Sequence, residues 1–136
     1  MITEDYCSQE VAELLDNKGF REYCEAIYFI LKDGDYSWSK IDIPIIDCSI
    51  CKPAAILCPT HQMAMKWLRE IHKISIDICT VQGKRVSYMF NIWDFANIYD
   101  NKYIGGTFDL KEQLYDFNTY EEAVEAAIKY SLENLI

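Results

Sequence analysis

The chain has no long hydrophobic run, no excess of basic residues and no Pro/Ser-rich linker. No apolar stretch approaches the roughly 18 residues of a membrane-spanning helix, so we expect no membrane segment. The formal net charge of −9 repels phosphate backbones and anionic lipid heads, which disfavours nucleic acid as a partner. Without a linker or low-complexity tract, residues 1–136 are expected to form a single domain.

Signatures of common catalytic sites are also missing. The sequence contains no phosphate loop, no nucleophile elbow and no pair of histidines on one helix. We therefore expect neither an enzyme nor a bound cofactor.

Core-forming side chains, in contrast, are abundant. Hydrophobic residues make up 51% of the chain and aromatic residues 14%, including 10 tyrosines and 3 tryptophans. This composition excludes intrinsic disorder, and a domain of this length buries roughly two thirds of its unfolded surface without disulfides or metal. Residues 1–6 are acidic where a secretory signal is basic, so we expect a cytoplasmic protein with reduced cysteines.

The spacing of apolar residues predicts three helices. The first spans about residues 6–18 and ends at a left-handed Gly19. Thr60 caps the second, and Thr119 with Glu122 forms a capping box for the third. The predicted apolar stripes are Val11, Leu14 and Leu15 in the first helix, Met63, Ala64, Trp67, Leu68 and Ile71 in the second, and Tyr120, Ala123, Val124, Ala127, Ile128, Leu132 and Leu135 in the third.

Alternating apolar residues predict strands between the helices. Turns at residues 33–35 and 82–84 close two hairpins, and Pro44 ends the first. The chain is therefore predicted to be α+β, with three helices packed on an antiparallel sheet of two hairpins or more, in the order α-β-β-α-β-β-(β)-α. The predicted strands cover residues 24–32, 36–43, 74–81, 85–92 and about 103–110.

Cys48, Cys51, Cys58 and His61 gather soft metal ligands in one short stretch. Two ligand pairs separated by a short connection can hold one zinc ion. However, the turns carry bulky and apolar residues where zinc knuckles use glycine or small polar ones, and His61 opens a helix. We therefore predict no metal and keep a zinc-stabilised module as an alternative. Cys58 and His61 would also suit a nucleophile and its base, but no third, orienting group can be identified.

Trp93, Phe95, Tyr99 and Tyr103 are interleaved with Asp and Asn where strand character is weakest. Tyrosine and tryptophan on a loop provide a large contact area at low entropic cost. The same residues could instead fold down over the sheet edge. We take this aromatic loop as the candidate surface for a partner.

Two strings of residues resemble a known group of proteins. They are MAMKWLREIH at residues 63–72 and TYEEAVEAAIKY at residues 119–130, with YCS leading into VAELL near the start. Together they resemble an uncharacterised family of short proteins encoded by gut anaerobic bacteria and by their mobile elements and prophages. The resemblance covers both ends and the second helix, and it implies a biological context without an activity, cofactor or catalytic residue.

The leading hypothesis is a noncatalytic protein-interaction domain of a bacterium or its mobile elements. An unprotected sheet edge would also allow a homo-oligomer through strand pairing. One alternative is the zinc-stabilised module. Another is an acidic protein that imitates nucleic acid in the basic groove of a host enzyme. This alternative comes from residues 109–136, which contain seven carboxylates and only two basic residues, Lys111 and Lys129.

Overall fold

The computed structural model describes residues 2–46, 55–96, 102–106 and 117–136. The predicted α+β class and the order of elements are confirmed within these ranges, and a short strand, β3, is added to the predicted set. In chain order the elements are α1 (Gln9–Asn17), β1 (Cys24–Ile30), β2 (Tyr36–Ile45), β3 (Ala55–Leu57), α2 (His61–Ile71), β4 (Ile74–Val81), β5 (Ser87–Asp94), β6 (Lys102–Gly106) and α3 (Tyr120–Asn134).

The chain divides into two compact units, Met1–Thr60 and His61–Ile136. The strands of the first unit form an antiparallel sheet in the order β2-β1-β3, and those of the second form another in the order β4-β5-β6. The predicted antiparallel strands therefore lie in two sheets. Among the described residues, no helix combines the length and the apolar character needed to cross a membrane.

Helix α1 starts three residues later than predicted. The side chain of Ser8 accepts a hydrogen bond from the backbone N–H of Val11 at 3.2 Å, so Ser8 is the N-cap. Before it, Tyr6 forms an antiparallel bridge with Thr60, and the N–H of Cys7 donates to a backbone carbonyl in the same segment. This pairing holds residues 6 and 7 in extended backbone and prevents an earlier start.

The left-handed cap predicted at Gly19 is confirmed. Gly19 has a φ of 87°, which glycine adopts without a steric penalty. Its N–H donates to the carbonyl of Asp16 at 3.1 Å, and the N–H of Phe20 donates to the carbonyl of Leu15 at 2.9 Å. These two bonds form a Schellman motif, and the buried ring of Phe20 completes it.

A tight turn joins β1 to β2. The carboxylate of Asp33 accepts from the N–H of Asp35 at 3.1 Å, and Gly34 has a φ of 87°. The prediction that Pro44 ends the hairpin was wrong, because β2 continues to Ile45. β2 is an edge strand, where proline is tolerated, and Pro44 falls where the pairing with β1 passes from Lys40 to Ile45 through a register shift.

The return strand of the second hairpin has its predicted length but is displaced along the chain. β4 has the predicted bounds, but β5 runs from Ser87 to Asp94, two residues later than expected. Val81 pairs with Ser87, so the loop comprises residues 82–86 and not 82–84. Helices α2 and α3 contact this sheet, and its buried face includes Ile74, Phe90 and Ile92.

The two helices of the second unit largely follow their predicted stripes. In α2 the buried residues include Ala64, Trp67 and Leu68, as predicted. Ile71 is exposed against the prediction, and Met65, which was not in the predicted stripe, is buried. In α3 Thr119 accepts from the N–H of Glu122 at 3.1 Å, as the capping box predicts. The carboxylate of Glu122 accepts from the N–H of residue 118 at 3.2 Å, one residue before the predicted donor.

The last strand begins one residue before its predicted start. β6 covers Lys102–Gly106, and the remaining predicted positions, 107–110, lie outside the described residues. Further along, Phe117 and Tyr88 exchange backbone hydrogen bonds of 2.7 and 2.8 Å. β6 and Phe117 therefore pair with successive parts of β5.

Candidate interaction surface on the second sheet

One face of the β4-β5-β6 sheet carries a mixed aromatic and polar surface. Directly paired residues of antiparallel strands point to the same face of a sheet. Phe90 and Ile92 point to the face that helices α2 and α3 contact, so their neighbours in β5 point to the opposite face. We call this opposite side the outer face, and its side chains come from Ser75, Asp77, Cys79, Met89, Asn91, Trp93 and Tyr103.

An aromatic pair dominates the outer face. The ring centroids of Trp93 and Tyr103 are 5.0 Å apart with an interplanar angle of 54°. The register between β5 and β6 shifts between Ile92 and Trp93, and this irregularity sets Tyr103 directly opposite Trp93. Tyr103 is 42% exposed and Trp93 is half-buried. The pair therefore offers an aromatic contact area whose geometry is set by strand pairing.

A short polar chain fixes the tyrosine. The hydroxyl of Tyr103 donates to Oδ1 of Asn91 at 3.0 Å, and Nδ2 of Asn91 donates to the Sγ of Cys79 at 3.5 Å. With its oxygen and its nitrogen both engaged, the amide of Asn91 has one orientation. Asn91 therefore links all three strands of the sheet through side chains.

Gly106 makes room for this arrangement. A Cβ at position 106 would lie 2.7 Å from the carbonyl oxygen of Phe90 and 2.9 Å from the hydroxyl of Tyr103. Both distances are too short for a real contact, and the first involves backbone that cannot move aside easily. The phenol of Tyr103 therefore lies against the sheet where a glycine has no side chain.

The predicted contact residues are only partly brought together. Trp93 and Tyr103 lie on neighbouring strands and not in a loop, because β5 extends to Asp94 and β6 begins at Lys102. Phe95 follows β5, is exposed, and its N–H donates to the carbonyl of Lys73 at 2.7 Å. Tyr99 lies outside the described residues.

Sequence reasoning missed Cys79, Asn91 and Gly106. The alternation in β5 contained a signal, because Asn91 and Trp93 are two residues apart and therefore share a face. Glycine within a strand weakens pairing, and the sequence pattern alone indicates no other role for Gly106. Its role depends on the proximity of Tyr103, which no local pattern encodes.

The residues of the zinc alternative have other partners where they are described. Cys48 and Cys51 lie outside the described residues. In the first unit, the fully buried thiol of Cys58 donates to the carbonyl of Cys7 at 3.4 Å. The Cys58 thiol is therefore engaged with backbone of the first unit.

His61 has a carboxylate partner in the second unit. Its Nε2 lies 2.6 Å from Oε2 of Glu125, and the imidazole is buried. The sequence pattern did not suggest Glu125 as a partner of His61. The two residues are 64 positions apart, and α2 and α3 pack together to align them.

No family model, curated protein or solved structure matches this chain. The resemblance of residues 63–72 and 119–130 to a family of short bacterial proteins therefore stays a prediction. The candidate surface rests on the contacts of its own residues.

Proposed function

We propose that this chain is a noncatalytic protein-interaction domain that binds a partner protein through the outer face of the β4-β5-β6 sheet. The observation that carries the proposal is the pair of Trp93 and Tyr103 on that face. Tyrosine and tryptophan are the residues most enriched among those that contribute most to binding at protein interfaces.

The rigidity of the pair supports binding. Ordering a mobile side chain at an interface costs about 0.5–1.5 kcal/mol. The hydrogen bond from Tyr103 to Asn91 and the close approach at Gly106 already restrict the tyrosine before a partner arrives. A partner that packs on these rings gains their contact area and loses little side-chain entropy.

The polar groups of the outer face suit recognition better than chemistry. Asn91 and Cys79 are hydrogen-bonded to each other, and an asparagine amide is not a general acid or base near neutral pH. Asp77 is exposed and is the cross-strand neighbour of Asn91. It provides a charged rim that would select for a partner with a complementary polar group.

The proposed setting is the cytoplasm of a bacterium, with the gene carried by the host or its mobile elements. The strand edges of the β4-β5-β6 sheet give a second possible mode of contact, in which a partner strand or another copy of the chain extends the sheet. If the added strand comes from another copy of the chain, this mode would make the protein a homo-oligomer.

Affinity purification from the host bacterium with the full chain as bait tests the proposal. Trp93→Ala and Tyr103→Ala are expected to lose a protein that the wild type captures, whereas Tyr23→Ala, at an exposed tyrosine of the first unit, keeps it. Tyr103→Phe keeps the ring and should retain most of the captured protein.

Thermal melting of the same variants provides the control. The three tyrosine variants and Trp93→Ala should melt close to the wild type. A large fall in the melting temperature of Trp93→Ala would assign Trp93 to the core. Unchanged capture by Trp93→Ala and Tyr103→Ala would rule out the outer face as the binding surface. Gel filtration at several concentrations shows whether the captured partner is another copy of the chain.

A further inference from the structure

A row of aromatic side chains lies on one face of the first sheet. Tyr28 pairs directly with Trp38, and Tyr36 is two residues from Trp38 in β2, so these three side chains share a face. The ring of Tyr6 meets Trp38 edge-on at 5.2 Å, and Tyr28 meets Tyr36 edge-on at 6.4 Å. We call these four residues the aromatic row.

Hydrogen bonds hold two of the four rings of the aromatic row. The hydroxyl of Tyr28 donates to the carbonyl of Cys7 at 2.9 Å. The hydroxyl of Tyr36 donates to the carboxylate of Glu13 in α1; this bond, partial burial and the nearby negative charges of Glu13 and Asp16 raise the pKa of Tyr36. The rings are thus held in place, while Trp38 remains 44% exposed.

The first unit also carries most of the net negative charge. Of the 22 acidic residues, eleven lie in each unit, whereas the 13 basic residues divide into five in the first and eight in the second. Two thirds of the net charge of −9 therefore belongs to the unit that contains the aromatic row. Near the row, Asp16 is paired with Arg21 at 2.9 Å, which leaves Glu13 as the main carboxylate beside the rings.

Aromatic faces next to a carboxylate favour a cation. The face of an aromatic ring is electron-rich and attracts an ammonium or guanidinium group, most strongly at tryptophan. A guanidinium group can stack on a ring and donate hydrogen bonds to a carboxylate at the same time, which a compact ammonium group does less well. The excess of negative charge in this unit adds a longer-range attraction for a basic chain and repels nucleic acid.

We propose that the aromatic row and Glu13 bind an arginine side chain of a basic protein segment, with the guanidinium group on the exposed ring of Trp38. Lys40 lies on the same face as Trp38, two residues along β2, and opposes the incoming charge. The surface belongs to the first unit and is independent of the outer face of the second sheet.

Fluorescence anisotropy with the full-length protein tests this binding. The probe is a short labelled peptide of alternating arginine, glycine and serine, and its control replaces each arginine with the neutral isostere citrulline. The arginine peptide should bind at least about tenfold more tightly than the citrulline peptide. Its affinity should also fall several-fold when the ionic strength is raised to about 0.5 M.

Variants locate the binding surface. Trp38→Ala and Glu13→Gln should each weaken binding of the arginine peptide about fivefold or more. Tyr23→Ala, at an exposed tyrosine outside the row, should leave it unchanged, and Lys40→Ala should strengthen it. Equal affinity for the citrulline peptide, or wild-type affinity in Trp38→Ala, would overturn the inference.

The indole N–H signals of the wild-type protein give a readout that does not depend on the stability of any variant. On addition of the arginine peptide, the signal of Trp38 should shift, and those of Trp67 and Trp93 should not. A shift confined to Trp93 would overturn this inference and leave the proposal for the second sheet intact.

Discussion

Each unit builds three of the described strands into a sheet with one register shift, but the elements of the two units differ in length. In the second unit β4 and β5 pair without interruption over their full length, and α2 and α3 cover one face. In the first unit the pairing of β1 with β2 slips between Cys24 and Ala26, β3 has 3 residues, and α1 has 9. Among the described residues the two units bury similar numbers of apolar side chains, and ring contacts are not concentrated in the first unit, so we infer that apolar burial stabilises both units.

The largest effect is expected in the core of the second unit. Phe90 is 2% exposed, and its ring centroid lies 6.1 Å from that of Phe117. Phe90→Ala should lower the free energy of unfolding by about 3–5 kcal/mol, because it removes a large buried side chain and leaves a cavity. Urea unfolding measures this loss, and Phe95→Ala, at an exposed phenylalanine, is the matched control. A loss below about 1 kcal/mol in Phe90→Ala would show that Phe90 does not pack in the core of this unit.

Gly106→Ala tests the outer face of the same unit. The new methyl group would press on the carbonyl of Phe90 and on the hydroxyl of Tyr103, so the free energy of unfolding should fall by about 2 kcal/mol. Hydrogen exchange should localise the change to β5 and β6. If the variant is as stable as the wild type, Tyr103 does not lie against Gly106 in solution.

Gly19→Ala tests the end of α1 in the first unit. An alanine at a φ of 87° costs about 1–2 kcal/mol even though no atom lies within 4 Å of its Cβ. Gly83→Ala is the matched control, because its Cβ meets only a carbonyl at 3.8 Å and the position has no left-handed φ. Denaturant unfolding should show a loss at position 19 and little change at position 83.

Equivalent substitutions at the N-caps Ser8 and Thr119 compare how much helix capping contributes to the stability of each unit. Ser8→Ala and Thr119→Ala each remove a side-chain acceptor for a helix N–H and should cost about 1 kcal/mol. Ser8→Asp and Thr119→Ser preserve an acceptor and should retain most of the stability. A much larger loss in Ser8→Ala than in Thr119→Ala would show that the first unit depends more on its helix end.

The smallest effect is a pH dependence at Tyr36. Its pKa is raised from the ordinary 10.0, so the neutral phenol is favoured in the folded chain. The resulting stabilisation is complete below pH 10.0 and is lost as the pH rises through the folded pKa. Urea midpoints measured on both sides of that pH should fall less in Tyr36→Phe than in the wild type. Tyr23→Phe should behave like the wild type; an unchanged pH dependence in Tyr36→Phe would contradict the bond to Glu13.

Local patterns predicted the elements well. The left-handed Gly19, the capping residue Thr119 and the bounds of β4 all follow from residues close together in sequence, and each is confirmed. The predicted bounds of β5 were two residues too early, because the size of the loop between β4 and β5 depends on which residue pairs with Val81. Pairing is a property of two strands, and a pattern in one strand does not determine it.

The candidate surface was only half predictable. Trp93 and Tyr103 were identified from aromatic content, but their contact depends on the irregular register between β5 and β6. The contact between His61 and Glu125 depends in the same way on the packing of two helices distant in sequence. Three-residue β3 has no sequence signature strong enough to separate it from its apolar neighbours.

Pro44 has a consequence for assembly. A long sheet border rich in aromatic and β-branched residues is a template on which further chains can stack into fibres. Pro44 has no backbone N–H and lies in β2, a border strand of the first sheet. Proline on a border strand makes it a poorer template for a further strand, so we expect valine or threonine at this position to raise the tendency to aggregate.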